Sequence, residues 1–254
     1  MVAHTLVNSE INSDTMTDRY YILEDKPSIQ SRNNRSFSGG FPLLPASCTL
    51  PKCKLCGAQQ TFFFQVHIQN TSNWVDRSIA VFQCVDCQDV NHLIPLMLEG
   101  ALYKHKVTDR FLDSYQSNFR VLSFSNKEQL ELRYDLPQRI IYREWQLKKN
   151  EANLTKHSFV GGVPVGGVPE WLVDDESPGT YNENGKFEFL MQVAQGKEFN
   201  LIDTAPGQMT IGLDGKSKLS TRRSYRLFLG NEVYFFGTDT AFCDNGIYVI
   251  TQRN

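Results

Sequence analysis

Four cysteines arranged as two Cys-x-x-Cys pairs, Cys53-Lys54-Leu55-Cys56 and Cys84-Val85-Asp86-Cys87, constrain the chain more than any other feature. A tetrahedral zinc ion takes four soft ligands at about 2.3 Å, and one such turn supplies two of them. Whether the two turns meet depends on what joins them. Thr61 to Gln69 reads as a strand, with Phe62, Phe64, Val66 and Ile68 on one face and Thr61, Phe63, Gln65, His67 and Gln69 on the other. Asn70-Thr71-Ser72-Asn73 is a run of turn formers, and Arg77 to Gln83 reads as a β-branched and aromatic strand ending at Cys84. A turn near Thr71 pairs the strands antiparallel and returns the second knuckle to the first, closing a zinc site. The 27 residues between the inner cysteines exceed the common ribbon spacing of about 15 to 20, and a longer hairpin accounts for the excess. Cys48 and His67 are the substitute ligands, and reduced thiols or a disulfide are the alternatives to a metal.

With 254 residues the chain can bury a large core, as one large domain or two small ones. A net charge of -2 supplies no global basic field, which disfavours a nucleic-acid partner. No run of about 18 apolar residues exists, so no membrane span is expected. Clustered thiols suited to metal, and an N-terminus without the layout of a secretory signal, point to the cytoplasm.

Residues 1–18 are poor in large apolar side chains and read as a mobile arm. Tyr20 to Leu23 reads as a first strand and Thr108 to Asn118 as a short helix. Ser125-Asn126-Lys127-Glu128 fits a capping box, which predicts a helix up to Pro137, and Ile140 to Lys149 reads as a second helical piece. Strands follow at Phe187–Ala194 and Gly246–Thr251, Asp214-Gly215 marks a hairpin turn, and Leu227 to Phe236 reads as strand, turn and strand. The expected fold is α+β and mainly antiparallel β. Its divisions are the arm at 1–18, a zinc-hairpin half with a helical segment at 19–150, and a second β half at 151–254 packed with the first.

Offset by 127 residues, Gly39, Gly40, Pro42, Pro51, Phe62, Gln65 and Val66 fall on Gly166, Gly167, Pro169, Pro178, Phe189, Gln192 and Val193. Seven ungapped identities in the order Gly-Gly-x-Pro, loop, Phe-x-x-Gln-Val suggest two copies of one β unit. Thr180 and Glu183 stand where the first copy has Cys53 and Cys56, so only the first half can hold the metal.

Gly39-Gly40-Phe41-Pro42, Cys53-x-x-Cys56-Gly57, Phe62-Phe63-Phe64-Gln65-Val66, Arg77 and Val81-Phe82-Gln83-Cys84 resemble the N-terminal region of the programmed cell death protein 2-like family. Gly166-Gly167-Val168-Pro169-Glu170-Trp171-Leu172 with Phe189-Leu190-Met191-Gln192-Val193 resembles the same pattern and the bacterial YwqG-like proteins. In the first half Leu43-Leu44 replaces the tryptophan-bearing segment. The resemblance implies a non-enzymatic chaperone that binds another polypeptide, a nascent small-subunit ribosomal protein in relatives of programmed cell death protein 2.

For catalysis the residues offer little. No Gly-x-Ser-x-Gly elbow, phosphate-binding loop or His-Glu-x-x-His is present, and Cys243 reads as a packing residue. Gln65 and Gln192 are expected to bond the backbone of the glycine turns. Trp74 at the hairpin tip, Trp171, and the acidic Asp174 and Asp175 are the partner-binding candidates. The leading expectation is a non-enzymatic, zinc-binding chaperone or adaptor. An immunity protein that occludes a toxin, and a hydrolase or small-molecule enzyme, are the alternatives.

Overall fold

A computed structural model of the chain describes residues 19–24, 28–69, 74–98, 103–149, 163–182, 185–238 and 246–254. The expected arm at 1–18, the turn at 70–73 and Cys243 lie outside the described residues. The first half contains β1 (Tyr20–Glu24), β2 (Phe37–Ser38), β3 (Leu43–Pro45), β4 (Thr61–Ile68) and β5 (Arg77–Gln83). Helix α1 (Asp109–Tyr115) then leads to β6 (Phe119–Ser125), β7 (Leu130–Leu132) and β8 (Arg143–Lys149). The second half opens with β9 (Val163–Val165), β10 (Thr180–Tyr181), β11 (Gly185–Val193) and β12 (Phe199–Asn200). It ends with β13 (Met209–Ile211), β14 (Ser217–Leu219), β15 (Ser224–Tyr225), β16 (Glu232–Thr238) and β17 (Ile247–Gln252).

The main sheet runs β17-β16-β11-β9-β1-β8-β2-β4-β5-β6, every pair antiparallel, with β10 added beside β11. It curls until its end strands β17 and β6 touch, a nearly closed barrel. The seam is held by side chains. Gln116 donates to the Ile247 carbonyl at 3.2 Å and accepts from the Val121 N–H at 2.9 Å, and the Tyr115 hydroxyl donates to the same Ile247 carbonyl at 3.3 Å. Edge groups that would otherwise be open to another chain are thereby satisfied.

Inside the barrel, aromatic rings from both halves meet. Phe64 lies 5.2 Å from Trp145, 6.1 Å from Phe199 and 5.9 Å from Phe235, ring centre to ring centre. Each fully buried phenylalanine of this kind contributes roughly 1.5–3 kcal/mol relative to exposure. A second cluster lies outside the first half, where Phe37, Phe62, Phe82 and Phe124 are roofed by Leu43, Leu44, Leu136 and Cys48. The strict alternation expected along β4 fails at one point. A bulge between Phe62 and Phe64 shifts the register, so Phe62 joins the outer cluster while Phe63, Phe64, Val66 and Ile68 join the inner one.

Several details recur at the offset of 127 residues. The bulge at Phe62/Phe64 has a counterpart at Phe189/Met191, and the pair Ser38↔Phe64 a counterpart in Val165↔Met191. The Gly39 N–H donates to the Phe63 carbonyl at 2.9 Å, and the Gly166 N–H to that of Leu190 at 2.8 Å. Gly39 and Gly40 sit at φ +62° and +69°, Gly166 and Gly167 at +70° and +73°. The left-handed backbone at Gly39 excludes a side chain, since a Cβ there would lie 2.3 Å from the Ile141 carbonyl oxygen. Outward from the central β1·β8 pair the remaining strands follow in chain order on each side, β9-β11-β16-β17 on one and β2-β4-β5-β6 on the other.

The expected helices after residue 125 are strands. One bond of the capping box forms, Ser125 N–H to Glu128 Oε1 at 3.3 Å, while Ser125 Oγ accepts from Lys127 N–H at 3.2 Å and not from Glu128, and the two close the turn between β6 and β7. Leu130 and Leu132 alternate at period two and find a partner in β3, and that tertiary pairing outweighs a local helix start. In β8, likewise, Trp145 and Leu147 turn inward while Gln146 and Lys148 face solvent. Helix α1 falls within the expected 108–118 segment. Residues Leu227–Gly230, expected to begin a strand, form a tight turn with Phe228 and Leu229 at φ 42° and 63°.

Candidate metal centre

The β4–β5 hairpin brings its open end together as the spacing predicts. Thr61 pairs with Gln83, so the knuckle before β4 and the one after β5 leave the sheet side by side. In the first knuckle the Gly57 N–H donates to the Cys53 carbonyl at 2.8 Å and the Cys53 N–H to the Ala58 carbonyl at 2.8 Å. Gly57, at φ +76°, makes the reversal that points Cys56 back at Cys53. The second knuckle is anchored from outside. Its Cys84 N–H donates to the Asn118 carbonyl at 2.7 Å, its Val85 carbonyl accepts from Met209 N–H at 2.8 Å, and its Asp86 pairs with Arg139 at 2.7 Å.

Within this frame the sulfurs of Cys53, Cys56, Cys84 and Cys87 all lie within 4.8 Å of one another. Cys53–Cys87 and Cys56–Cys84 are 3.7 Å apart and Cys84–Cys87 3.5 Å. A tetrahedron with metal–sulfur bonds of about 2.3 Å has edges of about 3.8 Å, so the donor set fits a four-coordinate thiolate site. The same distances are far too long for a disulfide, whose bond is about 2.05 Å.

Left to themselves, Cys56, Cys84 and Cys87 titrate unequally. Burial pushes Cys84 up to about 12, against the pull of the Asp86 N–H and Cys87, and burial together with the neighbouring thiols raises Cys87 further. Cys56 is held below the usual thiol range: burial opposes this, but the Ala58 N–H and the three other thiols outweigh it. A bound dication overrides such differences, because coordination deprotonates a thiol outright.

Neither substitute ligand belongs to the cluster. Cys48 is buried in the outer roof of the first half, its carbonyl accepting from Arg133 at 2.8 Å. His67 pairs with Ser78 at the other end of the hairpin, six residues or about 20 Å along β4 from Thr61. Burial holds its imidazole below the usual range.

The partner-binding candidates divide. Trp74 is fully buried, with the Arg77 guanidinium 4.4 Å from its ring centre, and is not a surface residue. Its ring packs on Gly237 of β16, where an added Cβ would lie 2.1 Å from the indole. The tip of the first hairpin thus locks into the second half. Trp171 is half-buried, 4.3 Å from the Tyr234 ring, and Asp174 and Asp175 are exposed. Gln65 and Gln192 bond the backbone after the glycine turns, accepting from Leu43 N–H at 3.1 Å and Glu170 N–H at 2.8 Å. The Arg139–Asp86 clamp joins residues 53 apart and leaves no local signal in the sequence. Among the described residues no helix is long and apolar enough to cross a membrane.

Compared with known proteins, the chain matches no family model and no curated protein.

Proposed function

We propose that the chain is a zinc-braced, non-enzymatic protein-interaction module, of chaperone or adaptor type, that holds another polypeptide. The observation that carries the reading is the four-thiol cluster at the open end of the hairpin. An all-thiolate set leaves no coordination position for a substrate, which is the mark of a structural zinc site. Binding free energy on the order of 10 kcal/mol or more then goes into folding. The cysteines hold the first half in shape, and the surface does the work.

We read the recurrences at an offset of 127 residues as two copies of one β unit, with the metal kept in the first. Apolar side chains on the surface support a polypeptide client: Val168 and Val173 are 68 % and 57 % exposed, and half-buried Trp171 lies between them in sequence. The resemblance to the programmed cell death protein 2-like family favours the same role.

Protein purified without a chelating tag should carry one zinc per chain by elemental mass spectrometry. Replacement by cobalt should give the charge-transfer bands of a tetrahedral thiolate site. A polypeptide should co-purify from the native cell and re-form a stoichiometric complex from purified parts. A folded, metal-free chain with paired disulfides, or turnover of a small substrate, would sink the proposal.

A further inference from the structure

A cleft of about 340 Å³ opens beside the first cysteine knuckle. Its floor includes buried Phe119, Leu122 and Gln60, and its rim exposed Lys52 and Lys54 with half-buried Arg120. Among the described residues no acidic side chain lines it, so positive charge is gathered here on a chain whose net charge is -2. Gln60 is 1 % exposed, and its side-chain oxygen has no hydrogen-bond partner among the described residues, while its amide nitrogen reaches only the Lys52 carbonyl at 3.5 Å. A buried acceptor left unpaired costs about 1–3 kcal/mol, and a ligand N–H removes that cost.

We propose that this cleft binds a short polypeptide segment in which one large apolar residue is flanked by Asp or Glu. The apolar side chain enters against Phe119 and Leu122, a backbone N–H of the segment donates to Gln60 Oε1, and the flanking carboxylates meet Lys52 and Lys54. The volume lies at the low end of the range for ligand pockets, about 300–1,000 Å³, and has room for one side chain and adjoining backbone. Exposed lysines at the mouth would leave a free small molecule wet on one side, whereas a polypeptide covers that side with its own neighbouring residues. Charge complementarity therefore chooses an acidic client. The assignment rests on the chain's being a polypeptide-binding module and names the chemistry of the client.

A competing account of the cations is that they offset the metal centre, since one dication and four thiolates leave two net negative charges. The test separates the two. Full-length, zinc-loaded protein is panned against a phage-displayed library of random decapeptides, and a fluorescein-labelled peptide of the selected consensus is titrated by polarisation. The selected pool should pair Asp or Glu with a central Phe, Leu, Ile or Trp, and affinity should fall roughly tenfold as salt rises across the range where surface charge is screened. The double variant Lys52→Gln/Lys54→Gln should weaken binding about tenfold with zinc content unchanged. Gln60→Met, which removes the acceptor, should weaken it about fivefold, and Gln60→Glu, which places an anion against the client, by more. Selection of peptides without acidic residues overturns the proposal, as does zinc loss in the lysine variant with peptide affinity intact, or N-acetylphenylalanine binding as tightly as the peptide. Selected peptides that ignore all these variants place the client elsewhere and leave the module reading standing. Failure to select any peptide, with no polypeptide co-purifying, removes both.

Discussion

The glutamine at the middle of each half shows how differently the two are held. Gln65 accepts from the Leu43 N–H, and its amide nitrogen has no partner among the described residues. Gln192 accepts from the Glu170 N–H and also donates to the Glu170 carbonyl at 3.2 Å and to Glu232 Oε1 at 2.7 Å. The residues around them follow suit. Where the first half has Ala80 beside Gln65, the second has Tyr234 beside Gln192, and Phe124 across from Ser78 is matched by Gln252 across from Glu232. Tyr234 and Gln252 stitch down the segment at 170–174, accepting from Leu172 and Val173 N–H and donating to the Glu170 and Asp174 carbonyls. In the first half that segment is instead β3, paired with β7 and packed on apolar side chains. One half thus carries an apolar outer layer with a thiol cluster, and the other a buried polar network.

Breaking the thiol cluster should produce the largest asymmetry. Cys84→Ser removes one of the four clustered thiols and, on the zinc-braced reading, should cost more than about 4 kcal/mol, the range reached when a metal site is lost. Amide exchange should quicken along β5 and β6 while β16 and β17 stay protected. Equal loss of protection in both halves would mean that the cluster braces the whole barrel and not one side of it. Zinc content, read on the same sample, should fall with the first-half protection.

The outer layers give the next contrast. Leu44 and Trp171 are 127 residues apart and cover corresponding faces, Leu44 at 0 % exposure and Trp171 half-buried on Tyr234 and Phe236. Leu44→Ala leaves a cavity under a closed roof and should cost about 2–5 kcal/mol. Trp171→Ala should cost less, about 1–2 kcal/mol, because its pocket is already open to water. Thermal unfolding of the two variants checks the order, and a larger penalty at Trp171 would show that the polar half relies on this half-buried aromatic.

Much of this division was legible before any coordinates. The cysteine spacing required a hairpin of the right length, because strand rise and one turn decide where Cys56 and Cys84 end. The Gly-Gly-x-Pro and Phe-x-x-Gln-Val repeats marked the segments whose hydrogen bonds recur. What stayed hidden depends on pairing between distant segments. Nothing near Leu130 announces that Leu43–Pro45 will be its partner, so the local sequence shows only a valid helix start. Trp74 beside a run of turn formers looked exposed, and only Gly237, 163 residues later, opens the slot that buries it.

The glutamines test the polar side of the contrast directly. Gln192→Leu orphans the Glu170 N–H and takes a donor from the buried Glu232 carboxylate, so it should cost about 3 kcal/mol. Gln65→Leu orphans the Leu43 N–H but also removes an unpaired amide nitrogen, and should cost about 1 kcal/mol. Denaturant midpoints that place the two together would erase the distinction between the halves.

Glu232 gives the smallest effect and the most specific one. Burial pushes its carboxyl above the ordinary value of 4.5, the Gln195 N–H and the Gln192 amide only partly offset this, and the charge of Glu170 adds to it. The native state therefore holds this proton to higher pH than the unfolded chain does. The contribution is fully present below about pH 4.5 and is lost as pH rises through the raised native value, so the ionised carboxylate weighs against the second half at neutral pH. Glu232→Gln removes the titration. Its stability relative to the parent, measured by denaturant unfolding from pH 4 to pH 8, should rise with pH and level off, whatever constant offset the lost hydrogen bond introduces. A difference that stays flat across that range would mean the carboxyl titrates alike in the folded and unfolded chain. The network around Gln192 would then be held by its neutral hydrogen bonds alone, as the first half is at Gln65.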